Sequence, residues 1–376
     1  MSETTETAPR ERRATWFELL FDLVFVAAVG QVAHRVVGHP TALELLVTAG
    51  LFVPLWWTWV IYTYQANRFD TDERGGHRLV ALAGMFGICL VAVALPGVGS
   101  HGSDDLKFVA GYLLARAVPA VLYVLAGRTD PAALPIARRY ATGSAVAAVG
   151  WIGGLFLPGG WQTAAWIAAM AVELALPFAA ARPTNAVSHS VEHLKERFGL
   201  FTIIVIGEAI LSVVAGLSGT SLDAAGGLTA VFAFVLAAGV WWIYFNTGSL
   251  REGTHDSMLS RQWLRHVFTY GHLPAQLGLA LAGAGASVAI IDAPHALPGA
   301  IAGALFGGTG LYLLAILAVR VAFQHRLTRT TVVRGVAAIA ALSLLWPATL
   351  MPAHLGVGLL ALLVIAVAVA ETRLAD

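Results

Sequence analysis

Long stretches that are apolar on every face constrain this chain most. Residues 359–370 read LLALLVIAVAVA, with no polar side to turn toward water. A helix apolar all round belongs in a large core or in lipid. A run of about 20 such residues spans a hydrocarbon core about 30 Å thick. With that window twelve spans are predicted: 15–35, 42–64, 78–97, 107–127, 139–158, 161–181, 197–217, 226–246, 264–291, 299–323, 332–350 and 355–371. The segments between them are charged or turn-rich, such as RFDTDERGG, GSHGSDD and SGTSLDAAGG. A membrane β-barrel is excluded, because its strands alternate apolar and polar residues over about ten positions. Composition agrees: charged residues are 12% and hydrophobic residues 58%, against about 25% charged in soluble domains. The expected fold class is an all-α, polytopic integral membrane helical bundle.

The basic residues then orient the bundle. All but three of the 23 Lys and Arg fall before span one, after spans two, four, six, eight, ten and twelve, or at the mouths of those spans. Only Arg35 and Lys107 lie on the other side, and Arg116 is inside a span. Both termini are therefore expected in the cytoplasm. Residues 1–14 read as a disordered cytoplasmic tail, not a signal peptide. Residues 15–181 form a first six-helix half, 182–196 a cytoplasmic linker, 197–371 a second half and 372–376 a short tail. A weak echo, WWTWVIY in span two against WWIYF in span eight, suggests a parallel 6+6 repeat. Arginine outnumbers lysine 21 to 2, which with the Ala and Gly richness suggests a GC-rich bacterial genome. The expected location is the bacterial inner membrane.

Several function classes fall away. A net charge of +1 offers no field for a nucleic-acid backbone. One cysteine, Cys89, rules out an intramolecular disulfide framework and a thiolate metal cage. No Walker A, Rossmann or GxSxG pattern stands in a strand–turn–helix setting, so no cofactor is expected.

Charged groups inside a bilayer cost several kcal/mol unless paired or hydrated, so each is a candidate for function. Glu208 lies eleven residues after Arg197, about 16 Å deep at 1.5 Å per residue. Arg116 and Glu173 reach a similar depth. Arg116 can pair with one acid, and the acid left over is the natural proton site. Nearer the cytoplasm, Glu18 and Asp22 are i,i+4 on span one, with Glu18 placed to cap the helix and Asp22 too deep for that. His272 and Gln276 share a face of span nine, which Pro274 is expected to break, freeing a carbonyl for a ligand. Tyr244 and Asn246 belong to the same candidate site, whereas the tryptophans of spans two and eight read as an interfacial belt. His189 and His193 have chelating spacing but lack the acid of HExxH, so no metal is expected; Glu208 and His272 are the residues that would hold one.

In chain order, RATWFELLFDLVFVAAVGQVAH, RFDTDE, HLKERFGLFTIIVIGEAI, VWWIYF and YGHLP resemble the bacterial low temperature requirement A family, from Arg13 to at least Leu273. The resemblance implies a polytopic membrane protein. The family name records a growth requirement in the cold and implies no settled biochemical activity. The resemblance marks Glu18, Asp22, His34, Arg68, Asp70, His193, Glu196, Arg197, Glu208, Trp242, Tyr244, His272 and Pro274 as pattern residues without assigned roles. Where the family pattern often has an Asp after the Trp-Trp run, this chain has Asn246.

The leading expectation is a proton-coupled secondary transporter of an organic solute. Glu208 would change protonation, Arg116 or Arg197 would hold its charged form, and Asp22, Glu173, Tyr244, Asn246 and His272 would line the binding site. The rival is an intramembrane enzyme for a lipophilic substrate, using Asp22, Tyr244, His272 and Glu208 as acid, base and charge stabiliser. A third class is a scaffold or sensor whose polar groups specify helix packing. The partners implied are the lipid bilayer, protons and a small molecule; no residue pattern identifies that molecule or the oligomeric state.

Overall fold

The computed structural model describes residues 14–68, 75–129, 134–178, 190–219, 223–245, 261–324 and 327–375. Among them stand twelve helices and no extended strand. They are α1 (Trp16–Gly38), α2 (Ala42–Arg68), α3 (Gly75–Ala94), α4 (Ser103–Thr129), α5 (Leu134–Gly154) and α6 (Gly160–Ala175). Then follow α7 (Val191–Ser218), α8 (Ala224–Phe245) and α9 (Gln262–Ile291). Helix α10 runs from Gly299 to Gln324 with a π-helical turn at Gly303–Gly307. Helices α11 (Arg329–Ser343) and α12 (Ala353–Ala375) complete the chain. The protein is an all-α, multi-pass membrane protein.

Each helix falls on an expected span, but among the described residues ten rather than twelve are long and apolar enough to cross a membrane. The exceptions are α5 and α6. With 16 residues α6 is about 24 Å long at 1.5 Å per residue, short of the ~30 Å core. Helix α5 carries Arg138 and Arg139 in its second turn, which dilutes its apolar run. The two pack on each other, and α5 also packs on α4.

Local signals set the starts of the two helices that matter most. Thr15 and Glu18 form a reciprocal capping box at α1: Glu18 N–H donates to Thr15 Oγ1 (3.2 Å) and Thr15 N–H to Glu18 Oε2 (2.9 Å). Ser190 caps α7, accepting from His193 N–H at 3.2 Å. Helix α7 therefore begins at Val191, inside the segment expected to be a linker. Its charged first turns looked like loop because their partners lie on other helices. The expected break at Pro274 does not occur either: α9 is helical from Gln262 through Ile291, the proline being accommodated within it. Long helices tolerate such a residue where neighbours satisfy the freed backbone group.

Helices α1–α6 and α7–α12 share a neighbour order. In the first set α1 packs on α2 and α3, then α3 on α4, α4 on α5 and α5 on α6. In the second α7 packs on α8 and α9, then α9 on α10, α10 on α11 and α11 on α12. The third and fourth helices of each set cross through facing glycines. A Cβ on Gly87 would lie 2.7 Å from the Gly111 carbonyl oxygen, and one on Gly111 2.6 Å from that of Gly87. Six helices later Gly278 and Gly308 face each other in the same way, a Cβ on Gly308 lying 2.6 Å from the Gly278 oxygen. Small residues at such crossings let backbones approach where lipid provides no hydrophobic drive. The sets also differ: α8 packs along α12, whereas α2 packs on α4, α7 and α9. Helices α1 and α2 join the sets by packing on α7 and α9.

This placement corrects the reading of the tryptophans. Trp56, Trp57 and Trp59 are at most 1% exposed and belong to the core, because α2 is enclosed by other helices. Trp241 and Trp242, 39% and 41% exposed, keep a surface position.

Candidate functional site

Helices α1 and α7 run side by side in parallel, and their seam carries a ladder of polar pairs. At the N-terminal end His193 Nε2 lies 3.2 Å from the Glu18 carboxylate. The His193 ring is steadied from α2 by Asn67, whose Nδ2 is 3.1 Å from Nδ1 and donates to the Ser190 carbonyl at 2.8 Å. One turn deeper Asp22 and Arg197 make a two-pronged contact, NH1 to Oδ2 and NH2 to Oδ1, both 2.7 Å. Trp59 N–H from α2 adds a bond to Asp22 Oδ1 at 2.8 Å, and the guanidinium carbon lies 5.8 Å from the Trp59 ring centre. Both ions are 1% exposed. Such a fork is strong because charge and planar geometry both match.

Deeper along the seam the ladder changes character. Glu208, in the middle third of α7, points at Gly30 of α1. A Cβ at Gly30 would lie 2.6 Å from Glu208 Oε1 and 3.1 Å from Oε2, so the absent side chain is what makes room for the carboxyl. Glu208 is 7% exposed. Among the described residues it is the one buried carboxylate without a hydrogen-bond or ion-pair partner; Glu18, Asp22, Asp105, Glu173 and Glu371 all have them.

The two arginines expected to serve Glu208 are engaged elsewhere. Arg197 is held by Asp22. Arg116 of α4 pairs with Glu173 of α6 at 2.6 Å, and that carboxylate also accepts from Tyr112 O–H (3.0 Å) and Trp151 N–H (3.3 Å). Spacing along the chain placed Arg197 and Glu208 on one helix face, yet a partner on α1 reaches the guanidinium first.

A third group joins α2, α7, α8 and α9. Tyr244 O–H lies 3.0 Å from His272 Nε2, and His272 Nδ1 lies 2.6 Å from the Phe268 carbonyl. A carbonyl only accepts, so Nδ1 carries the proton and Nε2 receives the Tyr244 hydroxyl. Gln276, one turn on, accepts from Trp56 N–H (2.6 Å) and donates to Thr202 of α7 (3.2 Å). Phe198 packs on both Trp59 and His272, ring centres 5.0 and 4.9 Å apart, and so bridges this group to the Asp22–Arg197 fork. Asn246, Asp70 and His189 lie outside the described residues, as do residues 1–13 of the expected tail and 182–189 of the expected linker. His34 is exposed.

Sequence reasoning missed two features. Asn67 follows Trp59 and Thr63 at intervals of four, a spacing that marks one face of α2, and all three are buried. Arg334 and Glu371, fully buried, form a second two-pronged bridge between α11 and α12 at 2.8 and 2.6 Å. Their signal was an acid near the end of an apolar helix and an arginine near the start of its antiparallel neighbour.

These features define a class, a multi-pass helical membrane protein whose interior charges are matched at helix seams, with one buried carboxylate left unmatched among the described residues. The model of the family described as bacterial low temperature requirement A protein matches residues 13–370. The chain is also 31% identical over 283 residues to an uncharacterized protein, RA0937, of Rhizobium meliloti (strain 1021), covering 72% of this chain and 68% of that one. The protein belongs to the bacterial low temperature requirement A family.

Proposed function

We propose that this protein is a proton-coupled secondary transporter of an organic solute, seated in the bacterial inner membrane with both termini in the cytoplasm. The observation that carries this reading is Glu208, buried and unmatched at a seam between the two sets of helices. An ionised, unpartnered carboxylate is costly to bury, so the side chain is held there with a proton. A movement of α1 against α7 that admits water or substrate releases that proton, and the reverse movement reloads it. The Asp22–Arg197 fork and the Glu18–His193 pair then act as the fixed end of the seam. The aromatic and polar groups around Tyr244, His272 and Gln276 form the part of the interior suited to an organic solute.

The test uses proteoliposomes loaded with a pH-sensitive dye and challenged with a panel of amino acids, organic acids, amines and sugars. At least one solute is expected to move protons with wild-type protein and none with Glu208→Gln. Wild-type flux from the Glu208→Gln variant removes Glu208 from the mechanism.

One observation favours a second reading. A neutral His272 accepting from Tyr244 is a base–phenol pair of the kind an intramembrane enzyme would use. Asp22, the acid that reading needs, is occupied by Arg197, so it ranks below transport. Conversion of a lipid by wild-type protein and not by His272→Ala would reverse the ranking.

A further inference from the structure

Helices α8 and α12 enclose a groove of about 500 Å³ on the outer surface of the bundle, within the ~300–1,000 Å³ range of small-ligand sites. The helices meet closely at Gly239, where a Cβ would lie 2.7 Å from Val364 Cγ1, and the groove walls are Val235, Ala238, Ile365 and Val369. Both helices are membrane spans by length and composition. An apolar recess in a bilayer holds no water, and acyl chains are the medium that fills it.

One end of the groove is polar. Trp242 N–H donates to Thr372 Oγ1 (3.2 Å), and the Thr372 hydroxyl donates to the Ala368 carbonyl (2.7 Å). Arg373 lines the same end and is exposed. The nearby acid Glu371 does not neutralise it, being buried in the bridge to Arg334. Among the described residues no carboxylate pairs with Arg373. Among the described residues that line the groove, Arg373 is the one charged side chain.

The geometry points to a bound anionic phospholipid, one acyl chain lying between α8 and α12 and its phosphate meeting Arg373 beside the Trp242 ring. Charge complementarity selects an anionic headgroup over a zwitterionic one, and an indole at the headgroup level fits the interface.

Native mass spectrometry of the delipidated full chain, titrated with phosphatidylglycerol and phosphatidylcholine of identical chains, tests this. Phosphatidylglycerol is expected to be retained about fivefold more tightly, the ~1 kcal/mol of one basic residue near an anionic surface. Arg373→Gln should erase that preference, and Ala238→Phe, which fills the groove, should weaken both lipids. Both positions are exposed, so unchanged thermal unfolding midpoints are the check on folding. Equal retention by wild-type protein, or a preference that survives Arg373→Gln, overturns the assignment. So does a dimer that Ala238→Phe disrupts, which would put a second copy of the chain in the groove.

Discussion

Asp22 and Glu208 are both carboxylates buried in a membrane-spanning helix, yet neutralising them should have opposite effects. Asp22→Asn leaves Arg197 as an uncompensated buried charge, which costs ~3–5 kcal/mol; thermal unfolding in detergent should register a large fall in midpoint. Replacing the pair together, as Asp22→Leu with Arg197→Met, should recover most of that loss, because two apolar groups need no partner. Glu208→Gln removes a group with no partner to strand, so its midpoint should stay level or rise. The infrared carbonyl band of a protonated carboxylic acid should be present in wild-type protein and reduced in this variant. At this scale the sequence located the charges well and their partners poorly. Depth along a helix is readable from residue counts, which is why Glu173, Arg116 and Glu208 stand out. Pairing is decided by which helices touch, and nothing in the spacing of Arg197 and Glu208 shows that Asp22 of α1 takes the guanidinium.

Helices were legible wherever an apolar run was long enough to set its own boundaries. The errors fall where tertiary contact overrides local character. Helix α7 starts at Val191 because Ser190 caps it, while Glu18 and Asn67 meet His193 and Asp22 meets Arg197 of its first turns. Trp56, Trp57 and Trp59 are core residues because α2 is enclosed, a fact about neighbours that an indole does not announce. Glycine carries the prediction proper to this scale. Gly30→Ala places a methyl on the Glu208 carboxyl, so the variant should keep its fold while losing proton-coupled flux. Gly278→Ala meets backbone rather than a side chain, at the Gly308 crossing. That overpacking should cost ~1–3 kcal/mol and lower the unfolding midpoint without touching the seam. A Gly30→Ala variant with wild-type flux would show that the carboxyl has another place to sit.

For the whole molecule, charge asymmetry and helix number together dictate a topology. Arg197 meets Asp22 where the parallel helices α1 and α7 begin, and Arg334 meets Glu371 where α11 begins and α12 ends; the positive-inside rule puts these ends in the cytoplasm. In a cysteine-free background, a cysteine at His101 should react with an impermeant thiol reagent added to intact cells. A cysteine at Leu327 should react only after the membrane is opened. The reverse pattern would invert the bundle. Twelve helices and their order were readable because each apolar run is self-contained; the shortness of α6 was not, because window length alone does not register where a helix stops. The two sets of six share their neighbour order, and the proposed transport cycle depends on one moving against the other around Glu208. Proton flux into dye-loaded proteoliposomes, measured for wild-type protein and Glu208→Gln across the solute panel, tests that cycle most directly. Solute-dependent flux that vanishes in the variant is the predicted result. Flux that persists in the variant, or a wild-type protein that no solute drives, would contradict it and leave Glu208 a packing element of the α1–α7 seam.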